Sequence, residues 1–152
     1  MSVCEYETRL SCSVEGLFDF LARPANVSQV TSPDLGISFL SAPEVLHQDA
    51  VLDFQIITFG QVIKSSHEIV EFAFPHHYVE QQVTGPMKAW RHTHSFEAIP
   101  EGVLMRDVVE FQLPGGILGL LLSESKVCDQ LEDGFYYREK RLNELIAQGE
   151  LK

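Results

Sequence analysis

Ala89-Trp90-Arg91-His92-Thr93-His94-Ser95-Phe96-Glu97-Ala98, then Pro100-Glu101-Gly102, then Met105-Arg106-Asp107-Val108-Val109-Glu110-Phe111-Gln112, reads as a β-hairpin and decides the fold. Both arms alternate with the period of two that a half-buried strand requires. In the first, Arg91, Thr93, Ser95 and Glu97 fall on one face, and Trp90, His92, His94, Phe96 and Ala98 on the other. In the second, Arg106, Glu110 and Gln112 point one way, and Met105, Asp107, Val109 and Phe111 the other. Pro100-Glu101-Gly102 supplies the turn, with glycine available for a positive φ. A loop of two or four residues sets even positions of the first arm against odd positions of the second, so the apolar faces coincide. That shared face carries two imidazoles and a carboxylate. Burying them is costly unless each finds a partner, ordered water or a ligand. The face is therefore expected to line a cavity.

Upstream, strands follow one another at Gly36 to Ser41, Ala50 to Phe59, Val62 to Phe72 and Tyr78 to Thr84. Gly60-Gln61, Pro75-His76-His77 and Gly85-Pro86 separate them. Val3 to Leu10 predicts a first strand, Ser13 caps a short helix over Val14 to Ala22, and Pro24 opens a second to about Val30. After the hairpin, Pro114-Gly115-Gly116 stops the strand. From about Ser123 the period turns helical, with Val127, Leu131, Phe135, Leu142, Leu145 and Ile146 on one stripe. The order is strand, two short helices, six strands, long helix, an α+β arrangement. An antiparallel meander of that length must curl, and one amphipathic helix plugs its concave face. The hollow between them is where a small ligand would bind. No repeat, low-complexity tract or linker interrupts residues 1–152, which read as a single domain.

With 152 residues, 45% of them hydrophobic and 22% charged, the composition is that of a soluble globular chain with a core of its own. The net charge of −11 excludes nucleic acid and anionic membrane surfaces as partners, since both need basic patches. No basic region followed by an apolar run opens the chain, so no secretory signal is read. Ile117 to Leu122 is too short to span a bilayer, so no integral membrane segment is expected. Cys4, Cys12 and Cys128 form no CxxC pair and are odd in number, which points to reduced thiols in the cytoplasm.

Several stretches carry a resemblance to a known superfamily. They are Pro75-His76-His77-Tyr78, Gln82-x-x-Gly85-Pro86, Trp90-x-His92-x-His94-x-Phe96, Met105-x-Asp107-x-Val109-x-Phe111-x-Leu113-Pro114-x-Gly116 and Phe135-x-Tyr137-Arg138. Together with the order of elements, they resemble the START-like, polyketide-cyclase and birch-pollen-allergen superfamily (SRPBCC). The resemblance implies the helix-grip fold, a curved antiparallel sheet wrapped around a long C-terminal helix. It also implies a function among lipid carriage, quinone binding, aromatic-polyketide cyclisation and chaperone assistance. The superfamily has no universal catalytic set, so the resemblance assigns no catalytic residue.

His92-x-His94 sets both rings on one side of a strand, a spacing metal sites use. Asp107 could be a third ligand, as could His67 if the odd positions of Val62 to Phe72 turn inward. No cysteine joins the group, and the expectation is no metal and no cofactor. One imidazole then bonds Asp107 and the other touches ligand or water. The same residues suit acid–base catalysis, with His94 or His92 as base and Asp107 orienting it. No GxSxG motif and no adjacent cysteine offers a nucleophile. Arg138 lies on the stripe of the last helix, placed to meet an anionic ligand head, to pair with Asp107 or Glu80, or to snorkel outward. Gln81 faces inward with Val79 and Val83 by hydropathy, unless a bulge near Gly85-Pro86 brings in Tyr78, Glu80 and Gln82 instead.

Phe54, Ile56, Trp90 and Phe96 are expected in the lining, with Met105, Val109 and Phe111 across the hairpin. Leu121, in the glycine-bounded segment 115–121, is expected in a lid over the mouth. The leading reading is a non-enzymatic binder of a small hydrophobic molecule such as a lipid, quinone or polyketide-like aromatic. The alternatives are a cofactor-independent cyclase, dehydratase or hydrolase, and a protein-interaction module. Monomer and homodimer both stay open, with Ile117 to Leu122 the candidate contact.

Overall fold

The computed structural model describes residues 1–58 and 60–152. Phe59, where the sequence ends a strand, lies outside the described residues. In chain order the elements are β1 (Ser2–Leu10), α1 (Val14–Leu21), α2 (Pro24–Val30), β2 (Ser38–Ser41), β3 (Val51–Thr58), β4 (Gln61–Ala73), β5 (His77–Thr84), β6 (Ala89–Ile99), β7 (Gly102–Gln112), α3 (Gly116–Leu121) and α4 (Glu124–Ala147). The strands form an antiparallel sheet in the order β1-β7-β6-β5-β4-β3-β2. From β2 to β7 it is a meander, and β1 closes the far edge against β7.

The β6–β7 hairpin has a two-residue loop, Pro100-Glu101, with Ile99 opposite Gly102. Gly102 has φ +143°, and a Cβ there would stand 2.2 Å from the Leu10 carbonyl oxygen, so no larger residue fits the turn. The register places Trp90 opposite Phe111, His94 opposite Asp107 and Phe96 opposite Met105. The apolar faces of the two arms do coincide.

Ser13 caps α1 by accepting a hydrogen bond from the Gly16 N–H at 2.9 Å, which satisfies one of the free N–H groups of the first turn. Leu17, Phe18 and Leu21 form the helix's buried face. Phe18 packs its ring against Phe72, Tyr78 and Phe96 on the concave side of the sheet. Leu142 and Leu145 of α4 join the same core. A second, smaller core holds Val109, Phe111 and Val127, with Trp90, Leu131 and Phe135 packed around it.

These two cores share their elements. On β6 the inward series is Trp90, His92, His94, Phe96; on β7 it is Met105, Asp107, Val109, Phe111. On α4 it is Val127, Leu131, Phe135, Arg138, Leu142, Leu145, a 4-4-3-4-3 spacing that keeps one helix face toward the sheet. Each element is apolar at both ends of its series and polar between them. A polar layer thus separates the two apolar cores.

Cys4 on β1 and Cys128 on α4, 124 positions apart in sequence, are joined by a disulfide across 5.7 Å between Cα atoms. This corrects the expectation of three free thiols. The inference of a reducing, cytoplasmic compartment rested on those thiols and loses its ground. Cys12 is free and buried. No helix among the described residues is long and apolar enough to cross a membrane.

Candidate functional site

His67 on β4, Glu80 on β5, His92 and His94 on β6, Asp107 on β7 and Arg138 on α4 meet in the polar layer. Register brings the strand residues together: Glu80 stands opposite His92, Tyr78 opposite His94, and His94 opposite Asp107. His67 sits one position from that row, opposite Gln82.

Asp107 is the innermost member and is fully buried. Arg138 holds it with two guanidinium nitrogens, Nη1 at 3.1 Å from Oδ1 and Nη2 on Oδ2, a bidentate pair. The guanidinium also lies over the Phe135 ring, 4.7 Å from its centre. His92 bridges two carboxylates, with Nε2 2.8 Å from Asp107 Oδ1 and Nδ1 3.4 Å from Glu80 Oε1. His94 puts Nε2 3.1 Å from the same Glu80 oxygen. Its Nδ1 is 3.4 Å from Asp107 Oδ1 but lacks hydrogen-bonding geometry and has no other partner. His67 Nδ1 lies 3.2 Å from Glu80 Oε2. The His94 ring stacks between Tyr78, at 4.2 Å, and His92, at 3.7 Å.

Two carboxylates face one guanidinium, which leaves one negative charge in the layer. Protonation of His92 would offset that charge, its Nε2 being hydrogen-bonded to Asp107 and its Nδ1 in ion-pair range of Glu80. Burial opposes the charge on His92, but hydrogen bonds to Asp107 and Glu80 prevail and raise its pKa. Burial likewise pushes Asp107 up, yet the Arg138 charge and the His92 hydrogen bond hold it well below the usual carboxylate range. Glu80 follows the same logic: burial is outweighed by hydrogen bonds from His67, His92 and His94, and its pKa falls well below the ordinary value.

These shifts set a pH profile. The depressed carboxylates contribute stability that is present above their unfolded pKa values, near 4, and is lost as pH falls through the folded values. Raised His92 contributes stability that is complete below about 6.5 and is lost as pH rises through its folded value. With EDTA present, the melting temperature is therefore expected to peak between roughly pH 4 and 6.5. His92→Gln should remove the decline on the alkaline side. A wild-type melting temperature that is flat from weakly acid to weakly alkaline pH would contradict the charge assignment.

Glu80 is the most exposed member of the cluster, its side chain 19% accessible. The sequence offered it as the alternative to Gln81 and as one possible carboxylate partner for Arg138. Gln81 in fact lies on the outer face, exposed and accepting a hydrogen bond from Arg91 at 3.1 Å, and it drops out of the site. Hydropathy misread this strand because Val79 is buried on the outer side, while Val83 is an extra residue bulged between the Ser66–Thr84 and His67–Gln82 pairs. Phe96, Met105, Val109 and Phe111, expected in a lining, are packed into the two cores. Phe54 lies edge-on to His67 at 4.8 Å, and Ile56 and Trp90 are half-buried.

The lid segment forms α3, and Leu118, Leu121 and Leu122 cover a hollow whose floor includes Thr58, Ile63 and Met87. That hollow measures about 70 Å³. It holds a few waters and falls well short of the roughly 300–1,000 Å³ of a pocket for a larger organic ligand. A shallow depression of about 400 Å³ lies at the opposite end of β6, between Ser11–Glu15 and Ala98–Gly102. It is open to solvent and remote from the polar layer.

The layer's chemistry follows from its protons. A general base needs a lone pair facing substrate. Both nitrogens of His92 face carboxylates, and Nε2 of His94 is held by Glu80, so neither imidazole turns an unengaged nitrogen toward the opening. Glu80, His92 and His94 do offer ligand atoms within 4.8 Å of one another, as a metal ion requires.

No family profile matches the chain, and no curated protein does. Solved structures are similar to it along most of its length. Protein CV1439 from Chromobacterium violaceum has 11% identity and a TM-score of 0.73, covering 95% of this chain and 97% of that one. Ms6760 from Mycobacterium smegmatis has 12% identity and a TM-score of 0.71, covering 97% and 92%. Ara h 8.0201 has 15% identity and a TM-score of 0.65, covering 92% and 96%. The fold is the helix grip. At these identities the likeness carries architecture and no chemistry.

Proposed function

We propose that this chain is a START-like binder of a small, largely apolar molecule, received between the sheet and α4 with a polar head on Glu80. The observation that carries the reading is the partly exposed Glu80 carboxylate at the edge of an otherwise sealed polar layer. From the hollow under α3, the inward residues Ile63 and Ser65 lead along β4 to His67. An ionised carboxylate accepts hydrogen bonds and repels anions, so the head must be a donor such as a hydroxyl. Both Nη groups of Arg138 are committed to Asp107 and its remaining Nε–H is buried, so its charge is already spent on a carboxylate. A hydroxylated aromatic therefore fits the site better than a fatty acid. Because the hollow is small, entry needs α3 to swing aside. This helix of six residues begins at Gly116, and Ile117, Leu120 and Leu121 on it are 79%, 85% and 61% exposed.

Fluorescence titration with 2-naphthol and 2-naphthoate tests this directly. The expected result is saturable one-to-one binding of the naphthol, at least tenfold tighter than the naphthoate and weakened by filling the hollow with Ile63→Trp. Equal binding of both, or of neither, would overturn the reading. A second reading draws on the same α3 residues: the interior is well filled and the helix leaves an apolar patch outside, as an interaction module would. Light scattering of wild type against Leu121→Glu decides it, since only a subunit contact at α3 would give a smaller species in the variant.

A further inference from the structure

We propose that Glu80, His92 and His94 form a binding site for a divalent first-row transition metal of the zinc type. The metal site shares Glu80 with the ligand reading but does not rest on it, since its geometry is complete without a bound organic molecule.

The ligand set is two imidazoles and one carboxylate, a combination that suits such ions and excludes the harder calcium and magnesium. Its three ligand atoms lie within 4.8 Å of one another. Metal–ligand bonds of about 2.0–2.2 Å imply separations of roughly 3.3–3.5 Å between ligand atoms around a tetrahedral ion. Glu80 Oε1 lies 3.1 Å from His94 Nε2 and 3.4 Å from His92 Nδ1.

The groups behind the ligands argue more strongly. A metal-bound histidine almost always gives its far N–H to a carboxylate or carbonyl, which fixes the tautomer. Here His92 Nε2 is 2.8 Å from Asp107 Oδ1, so Nδ1 is the nitrogen left for a metal. His94 presents its Nδ1 to the same oxygen at 3.4 Å. That nitrogen is buried without a partner, and coordination through Nε2 would make it the N–H donor that Asp107 can accept. Asp107 is itself locked by Arg138, and the second oxygen of Glu80 is held by His67. His92 and Glu80 thus each have an orienting partner, and a small rotation of His94 would bring its Nδ1 to Asp107.

Charge agrees with geometry. Asp107 and Glu80 outnumber the single Arg138 guanidinium beside them, so a cation bound here meets carboxylate charge. Binding also has a conformational signature. The His92 and His94 rings stack at 3.7 Å with only 26° between their planes, so both lone pairs reach one ion only if the rings splay. Imidazole rotation about χ2 is broad and permits this. Tyr78, stacked on His94 at 4.2 Å, must feel the movement.

The test is Zn²⁺ uptake by chelator-treated protein, quantified after gel filtration, with Co²⁺ as a coloured substitute. Wild type should retain one equivalent of Zn²⁺, and its Co²⁺ form should show intense visible bands of low-symmetry coordination with a change in the tyrosine near-ultraviolet signal. Glu80→Gln keeps the shape and an acceptor, and it should lower affinity by at least 100-fold. Asp107→Asn, which changes the group behind the imidazoles and leaves all three ligands in place, should lower it 10- to 100-fold. Because changes in this layer can also destabilise the fold, far-ultraviolet circular dichroism is recorded for each variant, and His94→Gln serves where one fails to fold. His76→Gln/His77→Gln removes the other adjacent imidazoles and should leave uptake intact. Uptake unaffected by Glu80→Gln and His94→Gln, uptake lost with His76 and His77, or no retention by wild type would each overturn the assignment.

Discussion

Arg138→Leu is expected to lower stability by about 3–5 kcal/mol, because it strands a fully buried carboxylate without its counter-charge. For a chain of this length that is a fall in melting temperature of roughly 6–20 °C. Leucine keeps an apolar side chain on the same helix face but loses the guanidinium's stacking on Phe135, a smaller term than the stranded charge. The cost arises at Asp107, which has no route to solvent and would keep only His92 as a charged partner. A double variant separates the two contributions. Asp107→Asn removes the charge that needs Arg138, so Arg138→Leu should cost clearly less in that background than alone. Additive losses in the cycle would mean that the pair is not coupled. An unchanged melting temperature in Arg138→Leu would mean that the guanidinium reaches water.

The helix grip was legible because each of its determinants is local. The β6–β7 hairpin announces itself through strict alternation and a short turn, and its register follows once the loop length is even. The long helix announces itself through the stripe from Val127 to Leu145, on which Arg138 falls at the right spacing. His92, His94 and Asp107 could be placed on one surface by parity alone. Which partner Asp107 takes could not, since His92, His94 and Arg138 all lie within reach and only the three-dimensional arrangement ranks them.

Hydropathy ranked Gln81 ahead of Glu80 for a specific reason. β5 carries valines on its outer face and a glutamate, a glutamine and a tyrosine on its inner face, the reverse of the usual pattern for a half-buried strand. Hydropathy assigns such a strand backwards, and the bulge at Val83 removes the downstream alternation that would have exposed the error. The better signal lay in pairing. Three imidazoles and a buried aspartate on one face need a second acceptor, and Glu80 was within reach of the same row. The size of the hollow was beyond sequence reading for another reason. It depends on how Phe96, Met105, Val109 and Phe111 interlock, and composition does not encode packing at that level.

Removing the Cys4–Cys128 bond is the second large effect expected. The bond closes a loop spanning 124 residues, nearly the whole chain. In the chain-entropy account a loop of that order is worth about 4.7 kcal/mol, against typical measured values of about 2–4. It ties β1, at the edge of the sheet, to the first turns of α4, beside the small core of Val109, Phe111 and Val127. Reduction should lower the urea midpoint of wild type and leave that of Cys4→Ser/Cys128→Ser almost unchanged. Cys12 does not confuse the experiment, because burial pushes its thiol up to about 11 and keeps it protonated and unreactive. Thiol counting in denaturant supplies the check: one reactive group before reduction and three after. Three groups without reductant would show that the bond does not form. A midpoint insensitive to reductant, with the count rising from one to three, would show that the fold gains nothing from it. If the bond is made, the N-terminal half of α4 is fixed to β1. Movement that admits a ligand must then fall to α3, between Gly115 and the start of that tethered helix.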